Sequence, residues 1–396
     1  SFGILRKEKE NLSKESLKEN ESEDVTADET IQVMDLRLKE GAKKGYFGTI
    51  SGATDFTNFY EGELLANKFK DDLKISVFAL GSNTPRSNFG MGDAYKYGLT
   101  GESNYPQNRY WNGEGSSNSN GIPWTFRSGF YYNDKISKKT KLGLNYTYSN
   151  NELNSSTDQT SQFFLGDTTY ITNETSNGYE NNESHSINLT LTHKLDSLTE
   201  IELLPKLRMG NNNQNSFYQT DFVSKYDTLT SSNYLHNNSQ SDYINFSNEI
   251  RLKKHFNKEK RLLKASYKFG ISENNADDYL LSENEYFMPG YTNDTIDQHQ
   301  LQKQVTQYHT GNLSFKEPIN SLLTAEFEFY TKYSLDDQNK ETFDFDNENY
   351  NVINNELTNH FTTNKLINRL GGFIQLKQNK HRIKTGAYIR NVLIDN

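Results

Sequence analysis

The chain has no cysteine, which excludes a disulfide framework, a thiolate metal site and a cysteine nucleophile. Proline is scarce, at 6 in 396 residues. Apolar residues make up only 33% of the sequence, and no apolar run reaches the roughly 18 residues that a membrane-crossing helix needs. That absence leaves membrane-crossing strands open, since each needs only about 10 residues. Positive charge is in deficit, with a formal net charge of −9. No basic patch is large enough to track a phosphate backbone, so nucleic acid is not expected as a partner. Catalytic signatures are missing too. The 8 histidines form no H-E-x-x-H pattern, and there is no G-x-S-x-G and no phosphate-binding glycine loop. No enzyme activity, cofactor or metal is expected.

What is present is aromatic and polar. Tyr and Phe number 25 and 24, and Asn is abundant throughout. A disordered chain would not carry so many aromatic residues, and a soluble core of this size would need longer aliphatic runs. Aromatic richness, alternation with period two and polar connections suit a transmembrane β-barrel, which shows lipid only a narrow apolar band.

The organising stretch is residues 32–48. A short alternating run (Met34, Leu36, Leu38) leads into a basic, glycine-bearing turn, and Tyr46-Phe47-Gly48 opens a second run. Before it, residues 1–30 are rich in Lys, Glu, Ser and Asn without an apolar stripe, and read as a charged linker or the remnant of a preceding domain. Residues 31–45 read as the junction, and 46–396 as a partial barrel.

From residue 46 onward, alternation marks about thirteen strands. Among the clearest, Leu142, Leu144, Tyr146 and Tyr148 alternate with Lys141, Gly143, Asn145 and Thr147. Leu263, Ala265, Tyr267, Phe269 and Ile271 alternate with Lys264, Ser266, Lys268 and Gly270. A strand from Glu200 to Met209 is expected to be interrupted by Pro205. Short turns alternate with long polar stretches, at 83–123, 150–182, 210–241, 273–305 and 334–362, which read as loops. Short turns at one end and long loops at the other are the pattern of an outer-membrane barrel. The polar face (Lys141, Asn145, Lys264, Lys268, Glu326, Glu328, Lys384, Arg390) is expected to line a wet lumen. Tyr146, Tyr148, Phe327, Phe329 and Tyr333, near predicted strand ends, suit interfacial girdles. An odd strand count does not close a usual single-chain barrel, and an open edge in lipid costs several kcal/mol for each unsatisfied backbone group. With no initiator Met or signal peptide at Ser1, the sequence is expected to be a piece of a longer chain.

The junction and first hairpin carry a resemblance. Asp35 to Gly48 (DLRLKEGAKKGYFG), Tyr60 to Phe69 (YEGELLANKF) and Lys74 to Thr84 (KISVFALGSNT) resemble the Bacteroidota outer-membrane β-barrel family related to TonB-dependent receptors. The landmarks are Tyr46-Phe47-Gly48 and Asn67-Lys68-Phe69, and the likeness covers Ile31 to about Asn83. The resemblance implies a 22-stranded barrel closed around a plug, set in outer-membrane lipid, importing a scarce small solute with energy delivered by the TonB system. This sequence departs from that pattern in lacking nearly all of the plug and the last strands. The alternative class is a surface adhesion or structural barrel without transport.

Tyr105, Tyr110, Trp111 and Trp124, in or beside the first long loop, are the candidate ligand-contacting aromatics, because ring faces bind sugars and apolar ligands. Asp344-Phe-Asp-Asn-Glu-Asn-Tyr350 has a calcium-loop look, but Asn349 holds the glycine place and Asn355 the closing glutamate place, so it reads as a solvated acidic loop. Asp167-Thr-Thr, Asp196-Ser-Leu, Asp227-Thr-Leu and Asp294-Thr-Ile match a short Asp-Ser/Thr-aliphatic glycosylation tripeptide that chance also produces.

Overall fold

The computed structural model describes residues 44–84, 121–166, 168–224, 226–378 and 381–395. They form one antiparallel sheet of fourteen strands running up and down in sequence order. The strands are β1 (Lys44–Thr54), β2 (Tyr60–Lys70), β3 (Leu73–Ser82), β4 (Gly121–Ser137), β5 (Thr140–Leu165), β6 (Thr168–Lys194) and β7 (Thr199–Ser224). They continue as β8 (Leu229–His255), β9 (Leu262–Tyr286), β10 (Asp294–Pro318), β11 (Leu323–Asp346), β12 (Asn349–Ile353), β13 (Asn359–Gln378) and β14 (His381–Asp395). Thirteen of these follow one another along the sheet, and β12 stands off the path as a short partner of β11. β1 and β14 are the two edges and do not pair with each other.

The thirteen alternating segments read from the sequence are the thirteen strands of the path. Their lengths are not those expected. The stretches 150–182, 210–241, 273–305 and 334–362 are mostly strand rather than loop, so β5 to β11 run to 24–27 residues each. The reason lies in the outward face. On β9 that face reads Leu263, Ala265, Tyr267, Phe269, Ile271 and then Glu273, Asn275, Asp277. On β5 it reads Leu142, Leu144, Tyr146, Tyr148 and then Asn150, Glu152, Asn154. Above the switch both faces are polar, so alternation vanishes while the backbone ladder continues. Hairpins therefore project well beyond the apolar half.

Pro205 does not interrupt β7. The β6–β7 register passes from Asn188↔Lys206 to Leu191↔Leu203 without pairing the residues between, while the β8 side keeps Pro205↔Asn248. Proline has no N–H to donate, so one ladder skips a step and the strand goes on.

Register gives each face its character. One face is apolar and open: Leu64, Val77, Phe130, Ile250, Phe327, Leu370 and Ile389 are all exposed. The other is mostly polar, and every buried described residue except Thr199 and Ser232 belongs to it. The sheet thus keeps its polar face inside and its apolar face outside, the reverse of a soluble barrel.

The top of the first hairpin is pinned by one carboxylate. Asp55 accepts hydrogen bonds from the backbone amides of Thr57, Asn58 and Phe59 at 2.8–2.9 Å and from the Thr57 hydroxyl at 2.5 Å. The Thr57 hydroxyl first, then these amides, hold its carboxyl well below the usual carboxylate range. A depressed folded value means that its contribution is present above the unfolded value of about 3.9 and is lost only as pH falls through the folded value. Asp55→Ala is expected to raise amide exchange at Thr57, Asn58 and Phe59 at neutral pH by about tenfold, whereas acidification of the unaltered protein to about pH 4 leaves those amides protected. Hydrogen exchange read by NMR or mass spectrometry checks both arms.

Candidate functional site: the inner wall

The eight residues expected to line a lumen (Lys141, Asn145, Lys264, Lys268, Glu326, Glu328, Lys384, Arg390) all fall on the inner face. They are part of a larger arrangement, because the register of β7 to β14 collects cations that are scattered along the sequence. Lys206 and Arg208 come from β7, Arg251 and Lys253 from β8, and Lys264 and Lys268 from β9. Lys316 and Lys332 come from β10 and β11, Lys365, Arg369 and Lys377 from β13, and Arg382, Lys384 and Arg390 from β14. At the same heights the carboxylates are Glu200, Glu202, Glu249, Glu326, Glu328 and Asp336, so this half of the wall is net positive on a chain of net charge −9. These cations are scattered along the sequence and come together only across the strands.

Near the short turns the charges are paired. The Arg251 guanidinium donates to both oxygens of Glu249, at 2.7 and 2.9 Å, and reaches Glu202 at 3.4 Å. Lys384 donates to Glu326 Oε2 at 2.6 Å, Ser314 donates to Glu326 Oε1 at 3.3 Å, and Lys316 stands 3.8 Å away. At the turns themselves, Glu317 accepts from Lys258 at 2.6 Å and from Arg261 at 2.6 and 2.7 Å, tying the β8–β9 turn to the end of β10.

Higher up, the cations lie against rings instead. Lys268 and Lys332 sit 5.4 and 5.8 Å from the centre of the Tyr308 ring. Arg208 is 5.5 Å from Tyr243, and Arg369 lies 5.5 Å from Tyr330 and 5.8 Å from Tyr388. Such contacts hold a cation in place without neutralising it. The rings themselves stand close over glycines on neighbouring strands. A Cβ at Gly270 would stand 2.3 Å from Tyr308, and one at Gly210 would stand 2.8 Å from the Tyr243 hydroxyl. Glycine permits this close approach, and the aromatic ring covers the exposed backbone.

The inner face of β2 to β4 differs. Leu65, Phe78 and Tyr131 form a buried apolar cluster there, beside buried Leu80, Asn67, Ser76 and Thr125. None of the eight residues expected to line the lumen lies at this end of the sheet, where the inner face is partly apolar. Alternation could not show it, since β3 carries large apolar residues on both faces (Val77 outward, Phe78 inward).

On the outward face, a row of rings and imidazoles marks the top of the apolar half. His185 lies 4.9 Å from Tyr148 between ring centres, and its Nδ1 is 2.9 Å from the Tyr146 hydroxyl. His309 repeats this, 5.1 Å from Phe269 and 2.7 Å from the Tyr267 hydroxyl, and the Tyr333 hydroxyl donates to Asn364 at 2.9 Å. These aromatics sit at mid-strand, not at strand ends as expected, because the strands run on past them. From the short turns to this row is about nine residues, or about 25 Å of height once strand tilt is allowed for.

The projecting hairpins carry a second aromatic group. Tyr279 stacks on His299 at 4.3 Å, His299 Nε2 is 2.7 Å from Asp277, and Tyr350 packs edge-on to both rings while donating to Asp297 at 2.8 Å. Burial among these rings pushes the Tyr350 hydroxyl up to about 12. A groove of about 420 Å³ beside them is lined by Asp242, Asp277, Lys303 and Glu341.

Of the four candidate aromatics, Tyr105, Tyr110 and Trp111 lie outside the described residues. Trp124 is a strand residue of β4, and its indole N–H donates to the Tyr60 hydroxyl at 2.8 Å. Asp344 spends its carboxylate on hairpin contacts, accepting from Gln298 and Asn354 at 2.9 Å each. Among the described residues no group of three or more metal-ligating side chains converges. Of the acceptor-like aspartates, Asp227 and Asp294 stand at the hairpin end and Asp196 at the short-turn end, while Asp167 lies outside the described residues.

No family model matches the chain, and no curated protein matches it. Among solved structures it is similar to the Pseudomonas putida toluene transporter TodX, at 11% identity and a TM-score of 0.26 over 88% of this chain and 86% of that one. It is also similar to the RagAB peptide importer, at 9% and 0.29 over 84% and 44%, and to the siderophore receptor PiuA from Acinetobacter baumannii, at 9% and 0.27 over 88% and 64%. The chain spans less than half of the RagAB importer chain and somewhat under two thirds of PiuA. At these TM-scores the likeness does not settle function, and the two faces of the sheet carry the reading.

Proposed function

We propose that this chain is part of the wall of an outer-membrane β-barrel of transporter or receptor type, which binds a small solute and passes it inward. The observation that carries the reading is the inversion of the sheet. Its outward face is an exposed apolar band about 25 Å tall, closed above by tyrosines and histidines, while its inward face is polar. Exposed apolar area on this scale needs a non-aqueous partner, and antiparallel strands paired to a neighbour on each side, as β2 to β11 and β13 are, suit a bilayer. The junction's likeness to TonB-dependent receptors supports energy coupling through TonB in the intact protein.

A second reading is a surface-binding barrel without transport. The aromatic group at Tyr279, His299 and Tyr350 on the projecting hairpins favours it. The test is fractionation of cells expressing the intact protein, followed by uptake with and without a functional TonB system. Recovery in the outer membrane with coupling-dependent uptake is expected. Recovery in the inner membrane or cytosol sinks both readings, and outer-membrane recovery without uptake leaves the adhesion reading.

A further inference from the structure

We infer that the inner wall between β7 and β11 is a binding site for a small polyanion, a polyphosphate or polycarboxylate carrying two or more negative charges. This deepens the transporter reading and rests on the inner face being a lumen.

Four cations define the site: Lys206, Arg208, Lys268 and Lys332. Lys268 and Lys332 flank Thr310 in a single cross-strand row, and Lys206 lies in the adjacent row with Gly270 and Tyr308. With about 4.8 Å between strands, the set spans roughly 20 Å from β7 to β11. Among the described residues, none of the four has a carboxylate within ion-pair distance. The carboxylates that face them are committed elsewhere: both oxygens of Glu249 go to Arg251, and Asp336 accepts from the Thr306 hydroxyl at 2.7 Å. Three of the four lie against ring faces, on Tyr308 and Tyr243. The rings in turn are laid over Gly270 and Gly210, so the cations are positioned but their charge is not cancelled.

Like charges gathered on one wall repel one another, and the repulsion is relieved by a ligand of opposite sign. Lysines act as mobile point charges and follow an anion of variable shape, whereas a flat single carboxylate would be matched by a bidentate arginine. The spread of positive charge over several strands fits a ligand with separated negative groups better than a single monovalent ion. Rings of Lys and Arg serve the same purpose in anion-selective pores.

The test uses the intact protein in detergent, with inorganic pyrophosphate and tricarballylate as probes and maltose as the uncharged comparison. Calorimetry is expected to show binding of at least one polyanion and none of maltose, weakening as NaCl rises from about 0.05 to 0.5 M. Which probe binds tells phosphate from carboxylate chemistry. Each of Lys206→Gln, Lys268→Gln and Lys332→Gln is expected to weaken binding about fivefold to tenfold, and the triple variant on the order of a hundredfold. The triple Lys→Arg variant keeps the charge and is expected to restore most of the affinity. Lys254→Gln, on the outward face of β8 near the short turns, is expected to change nothing. Heat-modifiable migration on gels reports that each variant is folded. Absence of polyanion binding overturns the proposal, as happens if carboxylates from another part of the same chain already occupy these lysines. So does binding that the triple Lys→Gln variant leaves intact. Flux into liposomes is read separately. Polyanion binding without flux overturns transport and keeps the site, whereas flux of maltose without polyanion binding does the reverse.

Discussion

Ile250→Arg destabilises the folded protein in a bilayer by about 2–4 kcal/mol, the size expected for a guanidinium at the midplane of an outer-membrane wall. Ile250 stands on the outward face between Leu203 of β7 and Tyr267 of β9, five residues above the end of β8, near the middle of the apolar band. It is exposed in the isolated chain, so in water the same change would have little to disrupt. Asn213→Arg is the control. It lies on the same face of β7, above the ring of tyrosines and histidines, and is expected to shift stability by no more than about 0.5 kcal/mol. Urea unfolding of both variants in lipid vesicles decides the matter. Equal, small effects would mean that the band does not face lipid, and the membrane reading would fall.

Gly270→Ala is the second large effect, expected to cost about 1–3 kcal/mol from overpacking. The added methyl would lie 2.3–2.5 Å from three atoms of the Tyr308 side chain, and the ring must swing away because the strand beneath it is held on both sides. Tyr308 then leaves its place between Lys268 and Lys332. In the Tyr308→Ala background the same methyl has room. The double-mutant cycle should therefore show a coupling of about 1 kcal/mol or more. Additive effects would mean that the ring does not rest on the glycine. This change also disturbs the polyanion site, so weaker pyrophosphate or tricarballylate binding in Gly270→Ala is expected alongside the loss of stability.

Much of the lower half of the sheet is legible along the chain. Leu142 to Thr147 and Leu263 to Ile271 declare strand and face at once, because one side chain in two must meet an apolar surround while its neighbour meets water. The short turns are legible for a related reason: Asp71-Asp72 and Asp196-Ser197 break alternation with charged or turn-forming residues between one strand and the next. The upper halves are not legible as strands. When both faces meet water, as at Asn150 to Asp158 or Asn211 to Asn215, no period distinguishes a paired strand from a loop, and only the neighbouring backbone decides. Pro205 shows the same limit, since its missing donor matters on the β6 side and not on the β8 side.

The sequence by itself determined the class of the fold, the number of strands in the path and which residues of each strand share a face. These depend on nearest neighbours along the chain, where a period of two is imposed by backbone geometry. The tertiary structure alone decided what those faces contain when the strands are set side by side. Lys206, Lys268 and Lys332 lie far apart along the chain, and they converge only because register places even-numbered positions of β7, β9 and β11 on one wall. A change of one residue in any register would turn a strand's cations outward. The basic lane, the rings over Gly210 and Gly270, and the apolar cluster of Leu65, Phe78 and Tyr131 are therefore properties of pairing, which no single strand encodes.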